Sequence, residues 1–112
     1  MTRQEFTKNI TQLLSEMITA GENPVIDYAL RGTMDQVYLY LRKKTQCDGI
    51  NKLSKHQSGC AVDIYLSDIN GTIQFVWNEQ KSIKWHERWQ QLGGKALIIF
   101  ADGTKDYGHF EG

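Results

Sequence analysis

Three histidines, His56, His86 and His109, are spread along this chain of 112 residues, and two of them stand where they could hold a metal ion. His56 lies just ahead of a stretch that reads as a strand, and Asp63 follows seven residues later. Along that strand Cys60, Val62, Ile64 and Leu66 share one face and read as core, while Gly59, Ala61, Asp63 and Tyr65 share the other. Gly59 and Ala61 are the smallest neighbours available, which leaves room beside the Asp63 carboxylate. A zinc ion takes nitrogen, oxygen or sulfur ligands at about 2.0–2.3 Å, and a catalytic site uses three protein ligands with a fourth position left to water. His56 and Asp63 supply two. The third must come from His86, in the middle of a predicted helix, or from His109. His109 is favoured because Asp106 lies three residues before it and Gly108 can bend the chain so that both side chains reach one site. A carboxylate at 106 can take a proton from a metal-bound water.

The elements that must position these residues are legible from periodicity. Thr2 with Glu5 reads as a capping box, and Phe6, Ile10, Leu13, Leu14, Met17 and Ile18 follow at helical spacing, so residues 3–20 form a helix with one buried stripe that Gly21 ends. Val25 to Leu30 alternates and carries β-branched residues, which predicts a short strand running into Arg31 and Gly32. Thr33 and Gln36 open a second helix that ends near Gln46, and residues 47–58 form a loop. Residues 59–77 read as a hairpin whose turn is Asp68 to Gly71. Trp85, Trp89 and Leu92 define a third helix stopped by Gly93 and Gly94; on it Trp85 and Trp89 read as core and His86 as a surface residue. Ala96 to Phe100 reads as a buried strand, and residues 102–112 as a turn leading into a last extended piece.

Composition narrows the function classes. At 40% hydrophobic and 23% charged, the chain has the make-up of one globular domain with a modest core. Thirteen basic and thirteen acidic side chains cancel, with no long run of one sign to follow a phosphate backbone, so no nucleic-acid partner is expected. Charges interrupt the apolar residues of the first seventeen positions, which predicts neither a signal peptide nor membrane insertion and hence a protein made in the cytosol; a monomer is expected. Cys47 and Cys60 lack a CxxC spacing and are expected to be free thiols.

Two segments resemble a known family. Ser54-Lys55-His56-Gln57-Ser58-Gly59-Cys60-Ala61-Val62-Asp63 resembles the S-x-H-x-x-G-x-A-x-D motif of the zinc D-Ala-D-Ala peptidases, a group that includes D,D-dipeptidases, D,D-carboxypeptidases and phage L-alanyl-D-glutamate endopeptidases; all five fixed positions match. Asp106-Tyr107-Gly108-His109-Phe110 resembles the family's late segment, where a catalytic acid precedes the last histidine ligand by three residues and an aromatic residue follows. The resemblance spans roughly residues 25–111. It implies an α+β, hedgehog/DD-peptidase-like fold, with a small, mainly antiparallel sheet and helices packed on one side. It implies Zn²⁺ held by His56, Asp63 and His109, and Asp106 as general base. Arg31, at the end of the first strand, is similar in placement to the arginine such enzymes direct at the substrate and transition state, and Ser54 would bond the substrate or brace His56. The implied substrate is a peptidoglycan stem peptide, with release as a phage-type lysin one route from the cytosol to the wall. The chain departs from the pattern at Gly108, where many relatives carry proline, and at Ile98 to Gly103, where many have a tryptophan-rich segment. Its D-x-x-H form looks more like the compact phage endopeptidases than the E-x-x-W-H carboxypeptidases.

Two other classes compete. A cysteine peptidase would use Cys60 or Cys47 with a histidine, although Cys60 falls on the core face. A binding module of the same fold would keep the zinc ligands and lack activity. The reading of a metal-dependent enzyme predicts that chelators abolish peptide hydrolysis while thiol-blocking reagents leave it intact; the opposite pattern in a hydrolysis assay would make the chain a cysteine peptidase.

Overall fold

The computed structural model describes residues 1–28 and 59–112. The expected helix 33–46, the loop 47–58 with Cys47, and the end of the first strand at residues 29–30 lie outside the described residues. In chain order the described elements are α1 (Arg3–Thr19), β1 (Pro24–Tyr28), β2 (Ala61–Ser67), β3 (Ile73–Gln74), α2 (Glu79–Gln91) and β4 (His109–Glu111). They form two helices on a small antiparallel sheet, the α+β arrangement expected from the sequence.

Helix α1 starts where the capping box predicts. The Thr2 hydroxyl accepts from the Glu5 amide at 3.1 Å, and the Glu5 carboxylate accepts from the Thr2 amide at 3.3 Å. Its buried stripe is Phe6, Leu13 and Met17, with Ile10 and Leu14 half-covered; Ile18 is 62% exposed, because it sits at the margin of a face narrower than the apolar spacing implies. Helix α2 is capped by the Asn78 side chain, which accepts from Gln80 and Lys81. The two helices are joined by a forked pair: Arg88 Nε and Nη2 donate to the two Glu16 carboxylate oxygens at 2.7 and 2.8 Å. These bonds, aided by Gln12, hold Glu16 down at about 2.

Strand β2 is the axis of the sheet. Asp63 pairs with Tyr28 of β1 and with His109 of β4, and Leu66 pairs with Pro24 of β1 and Gln74 of β3, so β1 runs along one edge and β3 and β4 share the other. The alternation along β2 follows expectation. Cys60, Val62, Ile64 and Leu66 are buried with Phe110, Trp77, Trp85, Trp89 and the α1 stripe in one core. Cys60 is a buried free thiol.

Three expectations are corrected. The strand expected at 72–77 pairs only at Ile73–Gln74; Trp77 turns into the core while Phe75 and Val76 stay exposed. Ala96 to Phe100 is not a buried strand. Both sides of β2 are already taken by other strands, and the apolar run makes an irregular arm, with a single bridge from Ile99 to Lys105 among the described residues and with Ile99 and Phe100 exposed. His86 is not a helix-surface residue but is 3% exposed, its ring stacked on Phe110 at 4.2 Å. Burial pushes its imidazole below the usual histidine value, against the hydrogen bond to Tyr107, which raises it. Among the described residues, no helix is long and apolar enough to cross a membrane.

The two glycines after α2 do different jobs. Gly93 takes the left-handed conformation, φ +100°, that ends the helix. Gly94 is small for another reason: a Cβ there would stand 2.0 Å from Trp89 Nε1, which donates to the Glu111 carbonyl at 2.8 Å. Gly94→Ala is therefore expected to displace the central indole and lower stability by ~1–3 kcal/mol in urea unfolding. An unchanged midpoint would show that the indole yields without cost.

Candidate metal and catalytic site

Strand pairing brings Asp63 and His109 together. They are directly opposed in the β2–β4 register, and the flanking pair, Val62 with Phe110, points into the core. Opposed residues share a face, so Asp63 and His109 lie on the face turned away from α1 and α2. His109 Nδ1 is 3.3 Å from Asp63 Oδ1, both side chains being largely buried. On its other side His109 Nε2 stands 3.7 Å from the Glu111 carboxylate. Sequence reasoning missed Glu111, although the period of two that puts 109 on this face puts 111 there as well.

Asp106 sits in the turn that feeds β4. Its amide donates to the Ile98 carbonyl at 3.0 Å, and its carbonyl accepts from the His109 amide at 3.1 Å, which fixes the two residues of the D-x-x-H segment relative to each other. Its charge reaches His109. Burial alone would lower the His109 pKa, but the Asp63 hydrogen bond and the charges of Asp106, Asp63 and Glu111 outweigh it and raise the pKa above the ordinary value.

Tyr65, two residues along β2 from Asp63, was read only as a member of this face. Its ring packs edge-on against Phe75 at 5.0 Å, and its phenol is pushed up to about 12, first by burial and then by the carboxylates of Asp63, Asp106 and Asp27. It stays a neutral hydroxyl at any physiological pH. The same ring explains Gly108: a Cβ there would come within 2.6 Å of a Tyr65 ring carbon and 2.8 Å of the Ile64 carbonyl. Gly108 is thus required by close approach and not, as the sequence suggested, by a bend: it is not among the glycines in the left-handed conformation. The room expected beside Gly59 is filled, since a Cβ at that position would stand 2.5 Å from Arg3 Nε.

His56, Arg31 and Ser54 lie outside the described residues, and among the described residues no group of three or more His, Cys, Asp and Glu is arranged to hold a metal. The two expected ligands that are described do suit one. Two donors at about 2.0–2.2 Å from a tetrahedral ion stand roughly 3.3 Å apart, which is the 3.3 Å separation of Asp63 Oδ1 and His109 Nδ1. A histidine that offers one nitrogen to a metal commonly turns the other toward a carboxylate, the place Glu111 occupies.

No protein-family model matches the chain, and no curated protein matches it in sequence. Solved structures do match. An L-Ala D-Glu endopeptidase, ChiX of Serratia marcescens, superposes with a TM-score of 0.70 at 18% identity, over 98% of this chain and 79% of that one. An L,D-carboxypeptidase, DacB from Streptococcus pneumoniae, superposes with a TM-score of 0.64 at 17% identity, over 96% of this chain and 64% of that one. The chain shares its fold with these two peptidases.

The electrostatics give a signed prediction for the metal-free protein. A raised His109 pKa means that its protonation stabilises the fold fully below the unfolded value of about 6.5 and that this contribution fades as pH rises through the higher folded value. Asp63→Asn removes the largest raising interaction, so His109 should titrate lower in the variant than in the unsubstituted chain when followed by imidazole NMR. A titration unmoved by the substitution would separate His109 from Asp63.

Proposed function

We propose that this chain is a zinc-dependent peptidase that cleaves peptide bonds in peptidoglycan stem peptides. The observation that carries the reading is the Asp63–His109 pair, two potential ligands at ligand spacing on one sheet face, with Asp106 three residues upstream of the histidine. Two further supports are the fold shared with two peptidases and the match of Ser54 to Asp63 to the family motif. Between a carboxypeptidase and an L-Ala-D-Glu endopeptidase, the D-x-x-H form and the likeness to an endopeptidase structure favour the second.

In this mechanism His56, Asp63 and His109 hold Zn²⁺. When bound, the ion supplies Lewis acidity and lowers the pKa of a bound water to about 7. To serve as a ligand His109 must give up its proton, which the carboxylates around it resist, so zinc uptake should strengthen as pH rises. Asp106 takes the proton from the attacking water and passes it to the leaving amine. Glu111 orients the His109 ring through its second nitrogen. Arg31 holds a substrate carboxylate or the developing oxyanion with its permanently charged, forked donors, and Ser54 bonds the substrate or braces His56.

The test is incubation of zinc-loaded protein with purified peptidoglycan fragments, the products being read by mass spectrometry. Release of a peptide that begins with D-Glu, leaving L-Ala on the glycan, or of a terminal D-amino acid identifies the bond. Asp106→Asn is expected to retain zinc by elemental analysis yet lose on the order of 10²–10⁴ in turnover, whereas His109→Ala should lose the metal. Full activity in Asp106→Asn removes that carboxylate from the chemistry, and a chain that takes up no zinc removes the proposal.

A further inference from the structure

We infer that His86 is a positioning residue for the Asp106–His109 segment, gripping it from the core side. Three consecutive carbonyls of that segment accept hydrogen bonds from described residues. Asp106 O accepts from the His109 amide at 3.1 Å, and Gly108 O from the Ile64 amide at 2.7 Å, both backbone donors. The middle one, Tyr107 O, lies 2.7 Å from His86 Nε2, on helix α2. A carbonyl only accepts, so Nε2 carries the hydrogen, and burial, which disfavours the charged ring, makes His86 the neutral Nε2–H tautomer. Its Nδ1 is buried and meets no hydrogen-bond partner among the described residues, as befits a bare lone pair. The imidazole lies flat on Phe110, with an interplanar angle of 2°, and beside Trp77. One side chain therefore holds the carbonyl two residues before His109 and the ring one residue after it. Tyr65 closes the other side, its ring against Gly108.

A phenylalanine would fill the same core space and stack on Phe110, but could not bond Tyr107. That difference separates positioning from packing. The inference rests on reading His109 and Asp106 as site residues, so the test has one arm that involves no metal. In the metal-free chain, His86→Phe should speed amide exchange at Ile64 and His109 by ~10-fold, with α1 amides such as Leu13 unchanged. In the zinc-binding arm the same variant should weaken affinity by roughly 10-fold. His86→Gln, which restores an N–H at about the position of Nε2, should bring both values back toward those of the unsubstituted chain. Nitrogen-detected NMR of the unsubstituted protein should show the Nε2–H tautomer, a readout that stands even where His86→Phe does not fold. The inference is overturned by an Nδ1–H tautomer, by exchange at Ile64 and His109 that ignores the loss of the donor, or by His86→Gln behaving as badly as His86→Phe. A chain that takes up no zinc, with the exchange pattern as expected, would sink the metal reading and leave the grip in place.

Discussion

The pairing of Val62 with Phe110 drives both residues into the core, and because an antiparallel ladder alternates, the same register sets Asp63 opposite His109 on the far face. Burial and chemistry are thus two sides of one alignment. A slip of a single residue would carry a carboxylate and an imidazole into a packed interior of tryptophan and aliphatic side chains, where neither could be satisfied. The hydrophobic face therefore enforces the register, and the register assembles the pair. Trp89 adds a latch by donating to the Glu111 carbonyl, and the Gly112 amide bonds the Cys60 carbonyl at 2.9 Å, so β4 is held at its far end as well.

The face that results is crowded with negative charge. Asp63, Asp106 and Glu111 all act on His109, and Asp63, Asp106 and Asp27 act on Tyr65. Three carboxylates around one imidazole favour a positive charge among them, whether a proton on the ring or a cation beside it. A neutral phenol that resists ionisation supplies a hydrogen-bond donor at the margin without adding another negative charge.

Much of this was legible in the sequence because it depends on short-range pattern. The strict alternation of Cys60 to Leu66 announced which way Asp63 points, and the spacing of Asp106 to His109 marked a turn feeding an extended piece. What escaped depends on contacts across the chain. His86 sits one residue from Trp85 and three from Trp89, so helical periodicity places it at the border of the buried face; the Tyr107 carbonyl and the Phe110 ring, more than twenty residues on, decide that it is inside. Ala96 to Phe100 has the composition of a buried strand, but composition does not reveal that β1, β3 and β4 already flank the central strand β2 on both sides. Gly94 and Gly108 look like chain punctuation, and only the neighbouring Trp89 and Tyr65 rings show that both positions lack volume. Arg31, Ser54 and His56 remain sequence-based assignments.

Asp63 and His109 are 46 residues apart along the chain and touch only because two strands have found each other. An ion gripped by both would act as a reversible staple, tying off a long loop and withdrawing conformational freedom from the denatured chain much as a covalent cross-link does. Occupancy and folding would then be thermodynamically linked: at a free-ion concentration a hundred times the dissociation constant, the native state would gain about 2.7 kcal/mol. Sequestering such an ion would lower the melting temperature.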